Sequence, residues 1–133
     1  MRTVSKTVIG VDFGTQSARA VLVNAENGEI IYSCRKEYPY NSTPVPAIDC
    51  AENLPCATDY EMTLYELLRN VIPEEYRKTV AGICVDATSL TMVLLAEDGR
   101  ALSELDGWSE AAHARVKLWK YHRAQEKADE APV

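Results

Sequence analysis

The sequence predicts an α/β domain built around a mixed β-sheet. Three observations indicate this class: apolar β-branched segments follow one another through short turns, an amphipathic helix comes next, and another apolar segment follows the helix. The chain has 133 residues, a length that suits one domain with a real hydrophobic core. Each predicted element rests on its own local signal.

The first three predicted strands follow one another as a meander. Residues 7–13 (TVIGVDF) are apolar and β-branched, and residues 18–24 (ARAVLVN) follow a turn of small polar residues. Residues 29–34 (EIIYSC) follow Asn27-Gly28, and an Asn-Gly pair between apolar runs is the strongest short signal for a β-hairpin.

A helix is expected after an irregular connection. Residues 38–55 contain four prolines, which favours an irregular segment. Thr58 and Glu61 then fit a capping box, apolar residues recur on one helical face, and Pro73 marks the end of the helix.

The second half of the chain predicts a fourth buried strand, a hairpin and a helical tail. Residues 80–86 (VAGICVD) are the strand, and residues 91–96 and 100–102 flank the turn signal Glu97-Asp98-Gly99. The tail from Ser109 is helical by composition, although VKLW within it alternates like a strand.

Charge and cysteine usage restrict the possible functions. The net charge of −6 argues against a general nucleic-acid binder, but backbone N–H groups can still hold a small phosphorylated ligand. No apolar run approaches the ~20 residues of a membrane span. The four cysteines form no Cys-x-x-Cys pair and no signal peptide is apparent, so a reduced cytoplasmic protein is expected.

The sharpest motif is the segment of residues 12–19 (DFGTQSAR), at the end of the first strand. Asp12 could hold Mg²⁺, and Gly14 allows a close backbone approach or a positive φ. The turn and a nearby cation could wrap a terminal phosphate, the candidate residues being Gly14, Thr15, Gln16, Ser17 and Arg19. An ordinary hairpin turn with capping side chains explains the same residues, and the motif alone leaves both interpretations open.

Two further segments carry candidate ligand-binding groups. Asp86 ends the fourth strand and is followed by the hydroxyl side chains of Thr88 and Ser89, a set that suits a polyol. Trp119 and Lys120 could stack on and contact a sugar. Taken alone, a capped polar turn explains the first segment and an amphipathic helix with a buried Trp explains the second.

Taken in order, three segments resemble the amino-terminal part of the FGGY carbohydrate kinases: residues 10–19 (GVDFGTQSAR), 82–89 (GICVDATS) and 117–122 (KLWKYH). The resemblance runs from about Val8 to Ala128. It is greatest to the L-ribulokinase branch, whose members carry Val-Asp-x-Thr and Leu-Trp-Lys-x-His segments in this order, whereas xylulose and glycerol kinases differ at both places.

The resemblance implies an incomplete ribonuclease H-like, actin-like ATPase domain that phosphorylates a sugar hydroxyl with ATP and Mg²⁺. The turn up to Arg19 would face the ATP phosphates, and Asp12 would help to position the metal ion. Asp86, Thr88 and Ser89 would lie near the pentulose, together with Trp119 and Lys120.

Family members are several times longer than this chain. Residues 1–133 would therefore be the amino-terminal part of the first of two domains, and the family's catalytic aspartate would lie beyond Val133. The segment alone is expected to be inactive.

Two other function classes remain open at this stage. A ribonuclease H-like nuclease would use Asp12 and Asp86 as metal carboxylates on neighbouring strands. A non-catalytic actin-like module would bind or assemble through an incomplete sheet edge. The expected partners are a pentulose and ATP, not nucleic acid or a membrane, and a homo-oligomer is left open.

Overall fold

The computed structural model describes residues 4–39, 55–109, 111–118 and 129–130. Within these ranges a four-stranded sheet of order β3-β2-β1-β4 carries one α-helix on one face. β1 pairs antiparallel with β2 and parallel with β4, and β2 pairs antiparallel with β3, so the predicted mixed sheet is confirmed. The elements are β1 (Thr7–Phe13), β2 (Ser17–Asn24), β3 (Ile30–Glu37), α1 (Ala57–Val71) and β4 (Val80–Ala87).

The core lies between α1 and the alternate side chains of the two central strands. Successive strand residues point to opposite faces, so every second residue of β1 and β2 meets the helix. The predicted apolar face of the helix is confirmed, because Leu67 and Val71 are buried there and other face residues pack beside them. The buried strand residues of this core are Ile9, Val11, Ala18, Ala20 and Leu22.

The start of α1 differs from the predicted capping box. Cys56 is the N-cap: its Sγ accepts from the backbone N–H of Asp59, and its own backbone N–H donates to Asp59 Oδ2 at 2.8 Å. Thr58 lies inside the helix, and its hydroxyl donates to Glu104 Oε1 at 3.0 Å. The reciprocal cap therefore begins two residues earlier than the Thr58–Glu61 pattern predicts, with a thiol in place of the hydroxyl.

The strand β4 differs from its prediction as a buried strand. Ile83 and Val85 keep 53% and 56% of their surface exposed, although they share the sheet face of Ile9 and Val11. The helix contacts β2 and β3 and lies away from β4, which explains the exposure. The sequence pattern predicted the strand, but it did not predict that α1 leaves the strand uncovered.

The segment after β4 is less regular than predicted. The Glu97-Asp98-Gly99 turn is present, with Gly99 at φ +85° and Ala96 N–H donating to Arg100 O at 2.8 Å. Its flanks form only an isolated Leu95–Ala101 bridge, not a two-stranded hairpin.

Residues 111–118 of the predicted helical tail are not an α-helix, whereas Asp129, also described, is helical. The 111–118 segment contains a short 3₁₀ turn at Ala112–Ala114 and an isolated bridge between Lys117 and Met92. Val116 and Leu118 are buried, so the strand-like alternation of VKLW describes this part better than helical composition does. Among the described residues, no helix is long and apolar enough to cross a membrane.

Candidate functional site

The carboxyl ends of the parallel strands β1 and β4 bring Asp12 and Asp86 together. These two residues are register partners, so their side chains leave the sheet on the same face from strands about 4.8 Å apart. Both line an open cleft of about 570 Å³, together with Ala87, Thr88 and Ser89. The structure thus places the candidate metal ligand and three candidate sugar-binding residues around one cleft.

Arg19 is the charge partner of Asp12. The two residues are partners across the β1–β2 ladder, and Arg19 Nη2 lies 3.5 Å from Asp12 Oδ2. Their side chains are 65% and 46% exposed, and an exposed ion pair of this kind contributes only about 0–1 kcal/mol. Either partner can therefore exchange the other for a phosphate or a metal ion at small cost.

The turn of residues 14–17 joins β1 to β2 and is closed by a hydrogen bond from Gly14 N–H to Ser17 O at 3.0 Å. A Cβ on Gly14 would lie 3.0 Å from that same carbonyl oxygen, closer than side-chain carbons normally approach. The glycines with positive φ in the described ranges are Gly28, Gly99 and Gly107. Of the two predicted reasons for a glycine here, the close approach therefore applies and the positive φ does not.

Tyr38 lies behind this turn, and sequence reasoning missed it. Its Oη donates to Gly14 O at 2.8 Å, its backbone N–H donates to Gln16 O at 3.2 Å, and only 2% of its surface is exposed. Burial, followed by the nearby Tyr60 and Asp12, raises the pKa of Tyr38 above its ordinary value. The phenol therefore stays protonated and remains a donor.

An aromatic contact links the turn to the helix. The rings of Tyr38 and Tyr60 have centroids 4.9 Å apart, and Tyr60 meets Phe13 edge-on at 5.7 Å. Burial, together with the Asp59 charge, raises the pKa of Tyr60 to about 12. Phe13 immediately precedes the turn, so this cluster fixes both the end of β1 and the tyrosine behind the turn.

A second guanidinium stands beside the turn and was also missed. Arg35 Nε donates to Ser17 Oγ at 2.9 Å, and Arg35 Nη2 lies 3.5 Å from Glu37 Oε1. The Ser17 hydroxyl accepts this bond and keeps its own proton to donate elsewhere. A pattern search finds no such residue, because Arg35 reaches the turn only through the β2–β3 pairing.

The loop after β4 uses some of its predicted ligand groups internally. The hydroxyls of Thr88 and Thr91 lie 2.7 Å apart, and Thr91 Oγ1 also donates to Thr88 O at 2.9 Å. The backbone N–H of Thr88 donates to Phe13 O at 3.0 Å, which holds the loop against the end of β1. The Thr88 hydroxyl is thus engaged within the loop, and Asp86 Oδ1 accepts from the backbone N–H of Ala87 at 2.9 Å.

The other predicted sugar contacts, Trp119 and Lys120, lie outside the described residues. The chain immediately before them is held by hydrogen bonds between the backbones of Lys117 and Met92, 3.0 Å in both directions.

The residues of the cleft fit a magnesium ion that is shared with a substrate. Mg²⁺ is commonly held by one or two carboxylates together with phosphate oxygens and water. Asp12 and Asp86, partners on adjacent strands, would supply the carboxylates. In the described ranges, no group of three or more His, Cys, Asp or Glu side chains is placed to hold a metal ion.

The chain is similar to curated ribulokinases along almost its whole length. Ribulokinase 1 of Staphylococcus saprophyticus is 39% identical over 126 residues, an alignment covering 90% of this chain and 23% of that protein. The ribulokinase of Mycolicibacterium smegmatis is 34% identical over 134 residues, covering 93% and 24%. No family model matches the chain.

Comparison with solved structures shows that the chain shares its fold with sugar kinases. Gluconate kinase from Lactobacillus acidophilus aligns with a TM-score of 0.63 at 19% sequence identity, covering 95% of this chain and 22% of that one. The predicted actin-like ATPase fold, present as a partial domain, is confirmed. The chain spans about a quarter of the length of the curated relatives that it matches. These similarities confirm that the chain resembles the FGGY carbohydrate kinases, and the ribulokinases in particular, over almost its whole length.

Proposed function

We propose that the protein transfers a phosphoryl group from ATP to a pentulose or related sugar. Residues 1–133 would supply the phosphate-binding turn and part of the sugar-binding wall. One observation carries the proposal: the 14–17 turn and the Asp12–Asp86 pair meet at the same end of the sheet, in a chain that is 39% identical to a ribulokinase over 126 residues.

Phosphoryl transfer depends mainly on positioning and on neutralising charge, and the site has groups for both tasks. The phosphate-binding residues in the proposal are Gly14, Thr15, Gln16, Ser17 and Arg19. Asp12 would position Mg²⁺, with Asp86 beside it. Arg35, bonded to Ser17 Oγ, adds a second positive charge next to the turn.

The sugar would lie on the β4 side of the cleft. Asp86 and Ser89 can accept and donate hydrogen bonds to sugar hydroxyls, and Thr88 lines the same cleft. In the proposal, Trp119 stacks on the apolar side of the sugar and Lys120 contacts a hydroxyl or phosphate. No residue of this chain is assigned as the base that takes the proton of the attacking hydroxyl.

The described sheet is proposed to be the amino-terminal part of a larger first domain. Residues 80–85 of β4 (VAGICV) carry no charge and lie at the sheet edge, and most of this strand is exposed. The opposite edge, β3, carries Arg35, Lys36 and Glu37, charges that discourage pairing with another strand. The difference favours further chain packing on the β4 side. A cytoplasmic location agrees with Cys34 and Cys84 being thiols and not disulfides.

A chimeric enzyme tests the proposal. Residues 1–133 replace the segment that they match in Ribulokinase 1 of Staphylococcus saprophyticus, and ADP release is measured with a panel of pentuloses, with and without Mg²⁺. We expect turnover that requires both Mg²⁺ and a pentulose. Gly14→Val in the chimera should abolish it, because a branched side chain would collide with Ser17 O and obstruct the phosphates. A folded chimera with no pentulose-dependent turnover would contradict the proposed function, and full turnover of Gly14→Val would contradict the assignment of the turn.

The two alternatives are tested on the 133-residue chain itself. Asp12 and Asp86 are adjacent, as a metal nuclease requires, so Mg²⁺-dependent cleavage of an RNA–DNA hybrid that is lost in Asp12→Asn would favour that class. Stable self-association without ATP binding would favour a non-catalytic assembly module, for which the exposed β4 edge is the contact to examine.

A further inference from the structure

We infer that Tyr38 is a positioning residue of the 14–17 turn, setting the direction of the amide N–H groups that Thr15 and Ser17 present to a phosphate. The inference rests on the proposed function for the role of the phosphate, but the Tyr38 contacts are structural. Tyr38 reaches the turn twice, through Oη to Gly14 O at 2.8 Å and through its backbone N–H to Gln16 O at 3.2 Å.

Peptide geometry turns these two contacts into a constraint on the phosphate side. In a trans peptide the C=O and the next N–H point in opposite directions, and the described ranges contain no cis peptide bond. Because the carbonyls of Gly14 and Gln16 are directed at Tyr38, the N–H groups of Thr15 and Ser17 are directed away from it. Two N–H groups whose directions are fixed in this way, one before and one after Gln16, are donors that can bind phosphate oxygens.

The tyrosine is rigid enough to act as a template. It is 2% exposed, and its ring packs on Tyr60 of α1 at 4.9 Å. Tyr60 also contacts Phe13 at 5.7 Å, so the residue before the turn and the residue behind it are fixed against the same ring. Burial raises the pKa of the Tyr38 phenol, so its donor proton is kept throughout the neutral range.

Tyr60 provides a matched control. Its hydroxyl is buried in the same cluster and has no hydrogen-bond partner among the described residues. Tyr38→Phe and Tyr60→Phe therefore remove the same atom from the same cluster, but only Tyr38→Phe removes a bond to the turn. Tyr38→4-aminophenylalanine restores a donor at the same place and serves as the rescue.

The experiment follows the amide signals of Thr15 and Ser17 by NMR in the 133-residue chain during titration with MgATP. We expect Tyr38→Phe to shift both amide signals before nucleotide is added and to weaken MgATP binding about three- to tenfold, the loss of one neutral hydrogen bond. Tyr60→Phe should bind within about twofold of the unsubstituted chain, and the 4-aminophenylalanine variant should recover most of the loss.

The outcomes separate the two proposals. Unchanged amide signals and unchanged MgATP affinity in Tyr38→Phe would overturn the positioning role while leaving the phosphate turn intact. Equal weakening by Tyr60→Phe would overturn it as well, because the effect would then come from packing of the cluster. If the unsubstituted chain shows no MgATP-dependent shift at Thr15 and Ser17, the phosphate role of the turn fails and the inference fails with it.

Discussion

Replacing Gly14 by alanine should destabilise the protein, whereas the same replacement at Gly82 should not. The added Cβ at Gly14 would lie 3.0 Å from Ser17 O, a backbone atom that the turn cannot move without breaking its closing hydrogen bond. At Gly82 the added Cβ meets no atom within 4 Å. The two variants therefore share one chemical change and differ in a single contact.

The expected free energies of unfolding follow from these contacts. A Gly→Ala change that the backbone tolerates stabilises by about 0.4–1 kcal/mol, because the unfolded chain loses conformational freedom. Gly82→Ala should show this gain. Gly14→Ala receives the same gain but adds about 1–3 kcal/mol of steric strain, the cost of forcing an extra carbon into a packed position. The two variants should thus differ by about 1–3 kcal/mol.

Urea unfolding followed by circular dichroism measures this difference, with the slope of the transition checked for equality among the three proteins. MgATP titration adds a second measurement, in which Gly14→Ala should bind more weakly and Gly82→Ala should bind normally. Equal stabilities for the two variants would refute the close-approach argument. A destabilised Gly14→Ala that binds MgATP as the unsubstituted chain does would separate the fold of the turn from phosphate binding.

Three further predictions concern metal, pH and the exposed strand. In the chimera, Asp12→Asn should raise the Mg²⁺ concentration for half-maximal rate about tenfold or more, while Asp86→Asn should mainly raise the KM for the sugar. The reverse pattern would assign Asp86 to the metal and Asp12 to the sugar. The pKa of Tyr60 is raised in the folded state from an ordinary 10.0 to about 12, so the unfolded state loses the phenol proton first. The free energy of unfolding should therefore fall as the pH rises from about 10 to 12. Urea unfolding of Tyr60→Phe should show a weaker dependence on pH over this range. Ile83→Lys should leave the stability of the 133-residue chain within about 0.5 kcal/mol because Ile83 is 53% exposed, yet it should lower turnover of the chimera, where further chain is proposed to cover β4.

Local pattern predicted most of the sheet because strand and turn signals are short-range. The bounds of β1 match the prediction at Thr7–Phe13, and Gly28 adopts the positive φ that the Asn-Gly signal requires. Local pattern failed where two capping boxes are possible within a few residues: α1 begins after Cys56 and not at the predicted Thr58. It also failed for β4, because the exposure of Ile83 depends on where the helix lies in the assembled sheet.

In the candidate site, too, the features set by short-range pattern could be predicted, and those set by long-range packing could not. The proximity of Asp12 and Asp86 could be anticipated, since each acid ends an apolar strand and parallel strands end at the same edge. Tyr38 could not, because it reaches Gly14 from 24 residues away and only after β3 pairs with β2. Motifs thus indicate candidate ligand-binding groups, whereas the side chains that support those groups depend on tertiary packing.

The acidic net charge does not oppose phosphate binding at this site. At physiological ionic strength charges are screened over about 8 Å, so a bound phosphate responds mainly to the groups nearest the turn. Those groups include Arg19 and Arg35, which are partners across the β2–β3 ladder. Each forms an exposed ion pair with an acidic neighbour, Asp12 or Glu37, that it can release at small cost. A phosphate would bind the guanidinium groups, and Mg²⁺ would bind the Asp12 carboxylate that Arg19 releases. Each ion would therefore replace one partner of an existing weak ion pair and meet a group of opposite charge. In the proposed function, this exchange would allow a chain with net charge −6 to hold a polyanion and its metal together.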